Sequence, residues 1–289
     1  PCIEMGSRRT HEEAAVAAAR AAVIAGFTAT SNLEAGRRYG LETTGTAAHS
    51  FTLLHDSERE AFQAQINTLG VDTTLLVDTY DVERGVRTAV EVAGPQLGGV
   101  RLDSGDLVDQ ARWVRQLLDS LGNTNTRIIV TSDLDEYAIA SLRSAPVDGY
   151  GVGTQLVTGS GHPTAGMVYK LVTRQGSDGV WKDVAKHAEG KTSVGGRKRA
   201  FRRINDRHRA TAEVIDVVGP DELDRPAPQG NDRELLVPLV VGGEVQPGFT
   251  GAEGVQRAAR RRADSIAELP GAGKQMLPGD PVIPTVWED

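Results

Sequence analysis

Apolar residues in the first half of the chain come in short runs, and four of these runs each end in a polar cluster. Leu75-Leu76-Val77 leads into Asp78-Thr79-Tyr80-Asp81, and Val100-Arg101-Leu102 into Asp103-Ser104-Gly105-Asp106. Ile128-Ile129-Val130 leads into Thr131-Ser132-Asp133, and the fourth stretch is Gly149-Tyr150-Gly151-Val152-Gly153-Thr154. Between them apolar positions recur at helical spacing. After the Asp103 cluster, Leu107, Ala111, Val114, Leu118 and Leu121 keep that period up to Gly122. Capping patterns mark further helix starts: Thr10-x-x-Glu13 predicts a helix over His11–Ala25, and Ser31-x-x-Glu34 a short one closing at Gly40. Asp56 or Ser57 starts another, with Ala61, Phe62, Ile66 and Leu69 on one side, and Asp133-x-x-Glu136 starts one that ends before Pro146. The alternation predicts an α/β fold with a parallel sheet or barrel from about residue 40 to 155. In such barrels the reactive groups gather at the carboxyl ends of the strands.

The texture changes near Met167. Short β-like runs follow, at Met167–Val172, Val180–Val184, Arg199–Ile204, Ala212–Val218 and Leu235–Val241, separated by Gly/Pro-rich turns. One helix is expected over Ala252–Glu268, with a Pro/Gly-containing tail from Pro270. The expected division is therefore an α/β barrel carrying the active site over residues 1–172 and a β-rich region with its tail over residues 173–289. The basic run Arg197–Arg209 reads as a solvated or phosphate-facing edge.

Composition narrows the function classes. With 289 residues there is ample material for a large core, in one domain or two. A net charge of −7 argues against a general nucleic-acid or anionic-membrane surface. One cysteine, Cys2, excludes an intrachain disulfide and a cysteine-based zinc cage, and fits a reducing cytoplasm. No apolar run reaches the roughly 20 residues needed to span a bilayer. The longest, Ala14 to Phe27, is mostly alanine and is interrupted by Arg20. The chain opens Pro-Cys-Ile-Glu-Met, a strand-like start without an initiator methionine, which predicts that upstream residues are missing.

Several residues carry candidate chemistry. Arg101, Asp103 and Asp106 lie on or just after one strand; the carboxylates suit Mg²⁺ or ribose hydroxyls, and the arginine an anion. Asp106 also precedes a clear helix and reads equally as its cap. Asp78 and Asp133 share this ambiguity between cap and ligand. Gly151, Gly153 and Thr154 offer backbone N–H groups and a hydroxyl to an anion. His49, in Gly45-Thr46-Ala47-Ala48-His49-Ser50, is the histidine placed at a turn-like approach to the site. Arg8 and Arg9 stand just ahead of a helix N-terminus, where guanidinium forks and the helix dipole favour a carboxylate or phosphate.

Taken in order, these motifs resemble nicotinate phosphoribosyltransferase: Met5-Gly-Ser-Arg-Arg9, Gly45-Thr-Ala-Ala-His49-Ser, Leu76-Val-Asp-Thr-Tyr80, Arg101-Leu-Asp-Ser-Gly-Asp106, Ser132-Asp-Leu-Asp135 and Gly151-Val-Gly-Thr154. Val168-Tyr-Lys-Leu-Val172 and Gly195-Gly-Arg-Lys198 also fit. The resemblance is strongest to about residue 172 and becomes loose after about residue 210. It implies an irregular type II phosphoribosyltransferase α/β barrel with an additional sandwich-like β-rich region. The implied reaction joins nicotinate to the ribose of phosphoribosyl pyrophosphate, releasing pyrophosphate and forming nicotinate mononucleotide for NAD synthesis. Coupled ATP hydrolysis through a transient phosphohistidine is implied at His49, with Mg²⁺ required.

The same resemblance assigns Asp103, Asp133 and Asp106 to ribose hydroxyls or metal, and Gly151, Gly153 and Thr154 to the 5′-phosphate. Arg8 falls beside nicotinate with Ser31 and Asn32 nearby, Arg101 on ribose or phosphate, and Arg9, Asp78 and Ser132 among the substrate contacts. A homodimer sharing its site, in the cytoplasm, is implied, with neither nucleic acid nor membrane as partner. Met5 stands where relatives often carry phenylalanine to stack on the pyridine ring. Measured against the usual two-domain size, an N-terminal region on the order of a hundred residues or more is expected to be missing, leaving this chain alone a poor or inactive enzyme. The competing readings are a nicotinamide or quinolinate phosphoribosyltransferase, or a truncated form that binds nucleotides without turnover. A phosphate-binding aldolase needs a Schiff-base lysine or a metal-ligating histidine set. The barrel-like half has only Lys170, at its boundary.

Overall fold

The computed structural model describes residues 1–189, 191–219, 230–276 and 279–288. The chain divides into two units: Pro1–Thr164 with Thr250–Ala259, and Ala165–Phe249 with Arg260–Asp289.

The first unit is built on strands and helices in alternation. In chain order they are β1 (Cys2–Glu4), α1 (Glu12–Ile24), β2 (Ala29–Thr30), α2 (Leu33–Tyr39), α3 (His49–Leu53), α4 (Glu58–Leu69) and β3 (Thr74–Leu76). Then follow α5 (Val82–Ala93), β4 (Gly99–Leu102), α6 (Leu107–Ser120), β5 (Arg127–Val130), α7 (Glu136–Leu142), β6 (Gly149–Val152) and α8 (Thr154–Thr158). The six strands form one sheet in the order β2-β1-β6-β5-β4-β3, every neighbour parallel. The four apolar runs of the sequence are β3 to β6, side by side, so their polar ends share one edge of the sheet.

Why these runs are strands follows from burial. A parallel sheet covered on both faces needs continuous apolar sequence rather than alternation. Leu75, Val77, Val100, Leu102, Ile128 and Val130 are all fully buried. They pack with Phe62 of α4, Val86 and Ala89 of α5, and Ala111, Val114 and Leu118 of α6. Each fully buried side chain of this size contributes about 1.5–3 kcal/mol, as an upper bound. At Gly85 the contact is backbone to backbone: an added Cβ would lie 2.2 Å from the Val77 carbonyl oxygen, so α5 can sit this close to the end of β3 only without a side chain there.

Three helix starts fall one or two residues later than the capping patterns suggest. The cap of α1 is His11, whose Nδ1 accepts from Glu13 N–H at 3.3 Å, in place of Thr10. That of α2 is Asn32, whose Oδ1 accepts from Ala35 N–H at 2.8 Å, in place of Ser31. That of α7 is Asp135, accepting from Ala138 N–H, in place of Asp133. In each case the neighbour whose side chain reaches the second or third helical N–H takes the role. Ser57 caps α4.

In the second unit β11 (Arg197–Ile204) and β12 (Ala210–Val218) form an antiparallel hairpin, preceded by the short strands β7 (Thr173–Gln175), β8 (Trp181–Asp183), β9 (His187–Ala188) and β10 (Lys191–Thr192). After them come β13 (Arg233–Glu234), β14 (Val240–Val241), β15 (Glu244–Val245), α9 (Gly251–Glu268) and β16 (Thr285–Glu288), with the break between units falling within α9. The main sheet runs β13-β11-β12-β16, around Phe201, Ala212, Val214 and Val286. Two arginines of β11 are held in ion pairs: Arg202 with Glu213 at 2.7 Å and Glu268 at 3.2 Å, and Arg203 with Glu288 at 2.7 Å. Part of the basic run is thus matched by acids within the same unit.

One expected strand is absent and another is cut short. Met167–Val172 is irregular, with Met167 87% and Tyr169 95% exposed, and within Leu235–Val241 the strand is confined to Val240–Val241. An apolar run becomes a strand only where an edge is present for its backbone to pair with. Within the expected β-rich region and tail, Gly190, Pro220–Gln229, Leu277, Pro278 and Asp289 lie outside the described residues. Among the described residues no helix is long and apolar enough to cross a membrane.

Candidate functional site

One cluster forms where β3, β4 and β5 end and α3 begins. Asp78, just past β3, does not cap α5; Asp81 does. Its side chain is 1% exposed, and Oδ2 accepts from Asp103 N–H at 2.8 Å and from the Ser104 hydroxyl at 3.0 Å. It therefore clamps the loop after β4. Its Oδ1 is buried without a hydrogen-bond partner and lies 3.9 Å from Nε2 of His49. His49 opens α3; its Nδ1 lies 3.1 Å from the Thr79 hydroxyl, and its Nε2 lies 3.6 Å from Oδ2 of Asp103.

Arg101 ties this cluster together. Its Nε donates to Thr131 Oγ1 at 2.8 Å, Nη1 to Thr46 Oγ1 at 2.6 Å and the Ala47 carbonyl at 3.3 Å, and Nη2 to Asp103 Oδ1 at 2.9 Å. The guanidinium thus fixes the loop that carries His49 to the ends of β4 and β5, and four of its five N–H groups are engaged. Thr131 also donates to Asp103 Oδ1. Burial works to raise the Asp103 carboxyl. The hydrogen bonds from Thr131 and Arg101, with the Arg101 and His49 charges, together outweigh burial and hold it below the usual carboxylate range.

The remaining aspartates separate. Asp106 caps α6, Oδ1 accepting from Val108 N–H and Asp109 N–H at 3.1 Å each, which leaves its other oxygen outside the cap. Asp133 is exposed and, among the described residues, has no hydrogen-bonded partner. The Ser132 before it has φ 124°, a conformation that disfavours side chains, and its carbonyl accepts from Leu134 N–H at 2.6 Å. That turn leaves Ser132 and Asp133 exposed past the end of β5.

A second group forms at the ends of β1, β2 and β6. The loop after β1 carries Arg8 and Arg9, both exposed and, among the described residues, without acidic partners. The loop after β2 carries Ser31 and the buried Asn32, whose side-chain amide donates to Ser7 Oγ at 3.0 Å. Gly151 and Gly153 are packed against the first loop: a Cβ on Gly151 would lie 2.7 Å from the Met5 sulfur, and one on Gly153 3.1 Å from the Met5 carbonyl oxygen. The first turn of α1 bears Glu12 and Glu13, which offset the positive helix end expected beside Arg8 and Arg9.

Thr46, Thr79, Thr131 and the buried pair Glu4 and Thr30 were not singled out from sequence. Spacing could not reveal them, because Thr46 meets Arg101 across 55 residues and Thr79 meets His49 across 30. Glu4 left one signal, an acid inside an otherwise strand-like start. Among the described residues no group of three or more His, Cys, Asp or Glu side chains is arranged to hold a metal ion.

No protein-family model matches the chain. Whole-sequence comparison finds similarity to a nicotinate phosphoribosyltransferase of Mycobacterium tuberculosis, 54% identical over 295 residues, covering 99% of this chain and 62% of the relative. A nicotinate phosphoribosyltransferase of Bacillus subtilis is 41% identical over 225 residues, 74% of this chain and 46% of the relative. The chain therefore spans less than two thirds of the length of these relatives. Among solved structures, the fold is similar to human nicotinic acid phosphoribosyltransferase, with a TM-score of 0.74, 21% identity, and coverage of 100% of this chain and 68% of that one. It is also similar to nicotinate-nucleotide pyrophosphorylase of Pyrococcus furiosus, with a TM-score of 0.70, 22% identity, and coverage of 92% and 66%.

Proposed function

We propose that this chain, a homologue of the nicotinate phosphoribosyltransferases along almost its whole length, carries the catalytic region of such an enzyme. The observation that carries the reading is the cluster in which His49, Asp78, Arg101 and Asp103 meet at the carboxyl edge of the parallel sheet. In the reaction the pyridine nitrogen of nicotinate attacks C1 of phosphoribosyl pyrophosphate and the bond to pyrophosphate breaks. The ribosyl carbon is cation-like at the transition state, so positioning and charge, rather than a protein nucleophile, lower the barrier. Asp103 is suited to face the ribose: it is held ionised and oriented by Arg101 and Thr131. Asp133 and Ser132 extend from the neighbouring turn, and Gly151, Gly153 and Thr154 offer backbone and hydroxyl donors to the 5′-phosphate. Arg8 and Arg9, without acidic partners among the described residues, are suited to the nicotinate carboxylate, with Ser31 and Asn32 beside them.

ATP coupling assigns a second task to His49. With Nδ1 donating to Thr79, Nε2 is left with the lone pair that would take the γ-phosphoryl group of ATP. That nitrogen faces the carboxylates of Asp78 and Asp103, so a phosphoryl group there needs positive charge beside it. The donors present, all carboxylate oxygens and one of them buried without a partner, fit Mg²⁺. Asp103 and Asp78 would hold the ion. Bound there, Mg²⁺ supplies charge neutralisation for pyrophosphate and phosphoryl groups. A homodimer and a cytoplasmic setting accompany this reading.

The test is product analysis on the full-length protein with phosphoribosyl pyrophosphate, Mg²⁺, ATP and, in separate reactions, nicotinate, nicotinamide or quinolinate. Nicotinate mononucleotide with ATP consumption is the expected outcome. Turnover of quinolinate without ATP use would replace the reading.

A further inference from the structure

Glu4, at the end of β1, is 0% exposed and has no ion-pair partner among the described residues. Burying a carboxyl group is costly unless its oxygens are hydrogen-bonded, and here both are. Oε1 accepts from Gly6 N–H and Oε2 from the Thr30 hydroxyl. Thr30 Oγ1 in turn accepts from Asn32 N–H at 3.0 Å, and the Asn32 side chain donates to Ser7 Oγ at 3.0 Å. The ring Glu4–Thr30–Asn32–Ser7–Gly6 is closed, and Ser31 N–H donates to the Glu4 carbonyl at 2.8 Å beside it. The loop it holds has little freedom on its other side, where a Cβ on Gly6 would lie 2.2 Å from a Val157 methyl and 3.1 Å from the Gly153 carbonyl oxygen.

We infer that Glu4 is a positioning residue for the pyridine carboxylate: one buried carboxyl group sets the register between the loop carrying Arg8 and Arg9 and the loop carrying Ser31 and Asn32. The inference rests on the reading that these four residues receive nicotinate. An apolar residue at this position would fill the space in the strand but leave the Gly6 N–H and the Thr30 hydroxyl buried and unpaired. The two loops would then be joined only through the Asn32–Ser7 contact and the backbone.

The experiment uses Glu4→Gln and Thr30→Val in the full-length protein, with hydrogen exchange and steady-state kinetics as paired readouts. The amide of Glu4→Gln keeps the volume and the acceptor for the Gly6 N–H, so the fold survives, but it turns a donor instead of an acceptor toward the Thr30 hydroxyl. Thr30→Val breaks the relay and leaves Glu4 in place. Both variants are expected to speed amide exchange over Gly6–Arg9 and Ser31–Asn32 by about tenfold or more, with β4 and β5 unchanged. KM for nicotinate should rise by about tenfold, while kcat and KM for phosphoribosyl pyrophosphate stay within about threefold. Unchanged exchange in these loops would overturn the inference, as would faster exchange with an unaltered KM for nicotinate. A uniform loss across kcat and both KM values would make Glu4 merely structural. Failure of the nicotinate reading itself looks different: the unsubstituted protein would form no nicotinate mononucleotide, and the inference would go with it.

Discussion

His49 and Asp103 meet because a strand end and a helix start converge, and their chemistry can be separated by substitution. If His49 takes phosphate from ATP, incubation with ATP and Mg²⁺ should give an acid-labile, base-stable phosphoprotein. His49→Ala should abolish that label and keep part of the ATP-independent transfer, since Arg8 and the glycine loop lie elsewhere on the sheet edge. Labelling that persists undiminished removes the role. Asp103→Ala should lower turnover by a factor on the order of a hundred, with far less effect on stability. Asp103 also makes a signed statement about pH. Its folded-state value is depressed, so its contribution to stability is complete above the unfolded value near 4 and is lost as pH falls through the lower folded one. The stability gap between wild type and Asp103→Asn, followed by thermal melts, should therefore be flat above about pH 5 and close only in more acidic buffer. At this scale the sequence was informative for residues at the ends of apolar runs. It was silent for Thr46, Thr79 and Thr131, because a hydroxyl that orients a charged partner carries no mark of its own.

Strands β3 to β6 were legible because each is a short, largely apolar run that ends in a polar or glycine-rich cluster, whereas the two residues of β2, Ala29–Thr30, leave no such mark. Helix existence was legible too; helix starts were less so. Ser31 and Asn32 are both good capping residues, and only the backbone decides which side chain reaches Ala35 N–H. The misreading of Met167–Val172 has another origin, since pairing is a property of two segments and composition describes one. Gly85 offers a test of how tightly these elements are seated. Gly85→Ala should improve helix propensity in isolation, yet the new methyl would meet the Val77 carbonyl at 2.2 Å. A net destabilisation of about 1–3 kcal/mol is expected in denaturant titration. An unchanged or raised midpoint would mean that α5 can move away from β3 at little cost.

For the whole molecule, the proposed function makes the balance of charge near the first loop the feature that would decide which pyridine is accepted. Nicotinate carries a carboxylate, while nicotinamide presents a neutral amide that would welcome an acidic neighbour. The stretch Thr30-Ser31-Asn32-Leu33 contains no acid, and Glu34 is occupied by Arg37 and Arg38 at 2.6 Å each. A strong preference for nicotinate is therefore expected. Ser31→Asp should raise KM for nicotinate severalfold or more, because a like charge is placed beside the ligand. Equal efficiency toward both pyridines in the unsubstituted protein would defeat this account, while leaving phosphoribosyl transfer itself standing.

The strand order β2-β1-β6-β5-β4-β3 also governs when the molecule can come into being. β1 lies between β2 and β6, with Cys2 paired to Tyr150, so it acquires one of its two neighbours only after β3, β4 and β5 have been made. On the ribosome, β1 and the loops that follow it must wait half-assembled while the rest of the sheet emerges. Chains arrested before residue 149 should accordingly remain sensitive to protease across Met5–Thr10, and chains released beyond α8 should not.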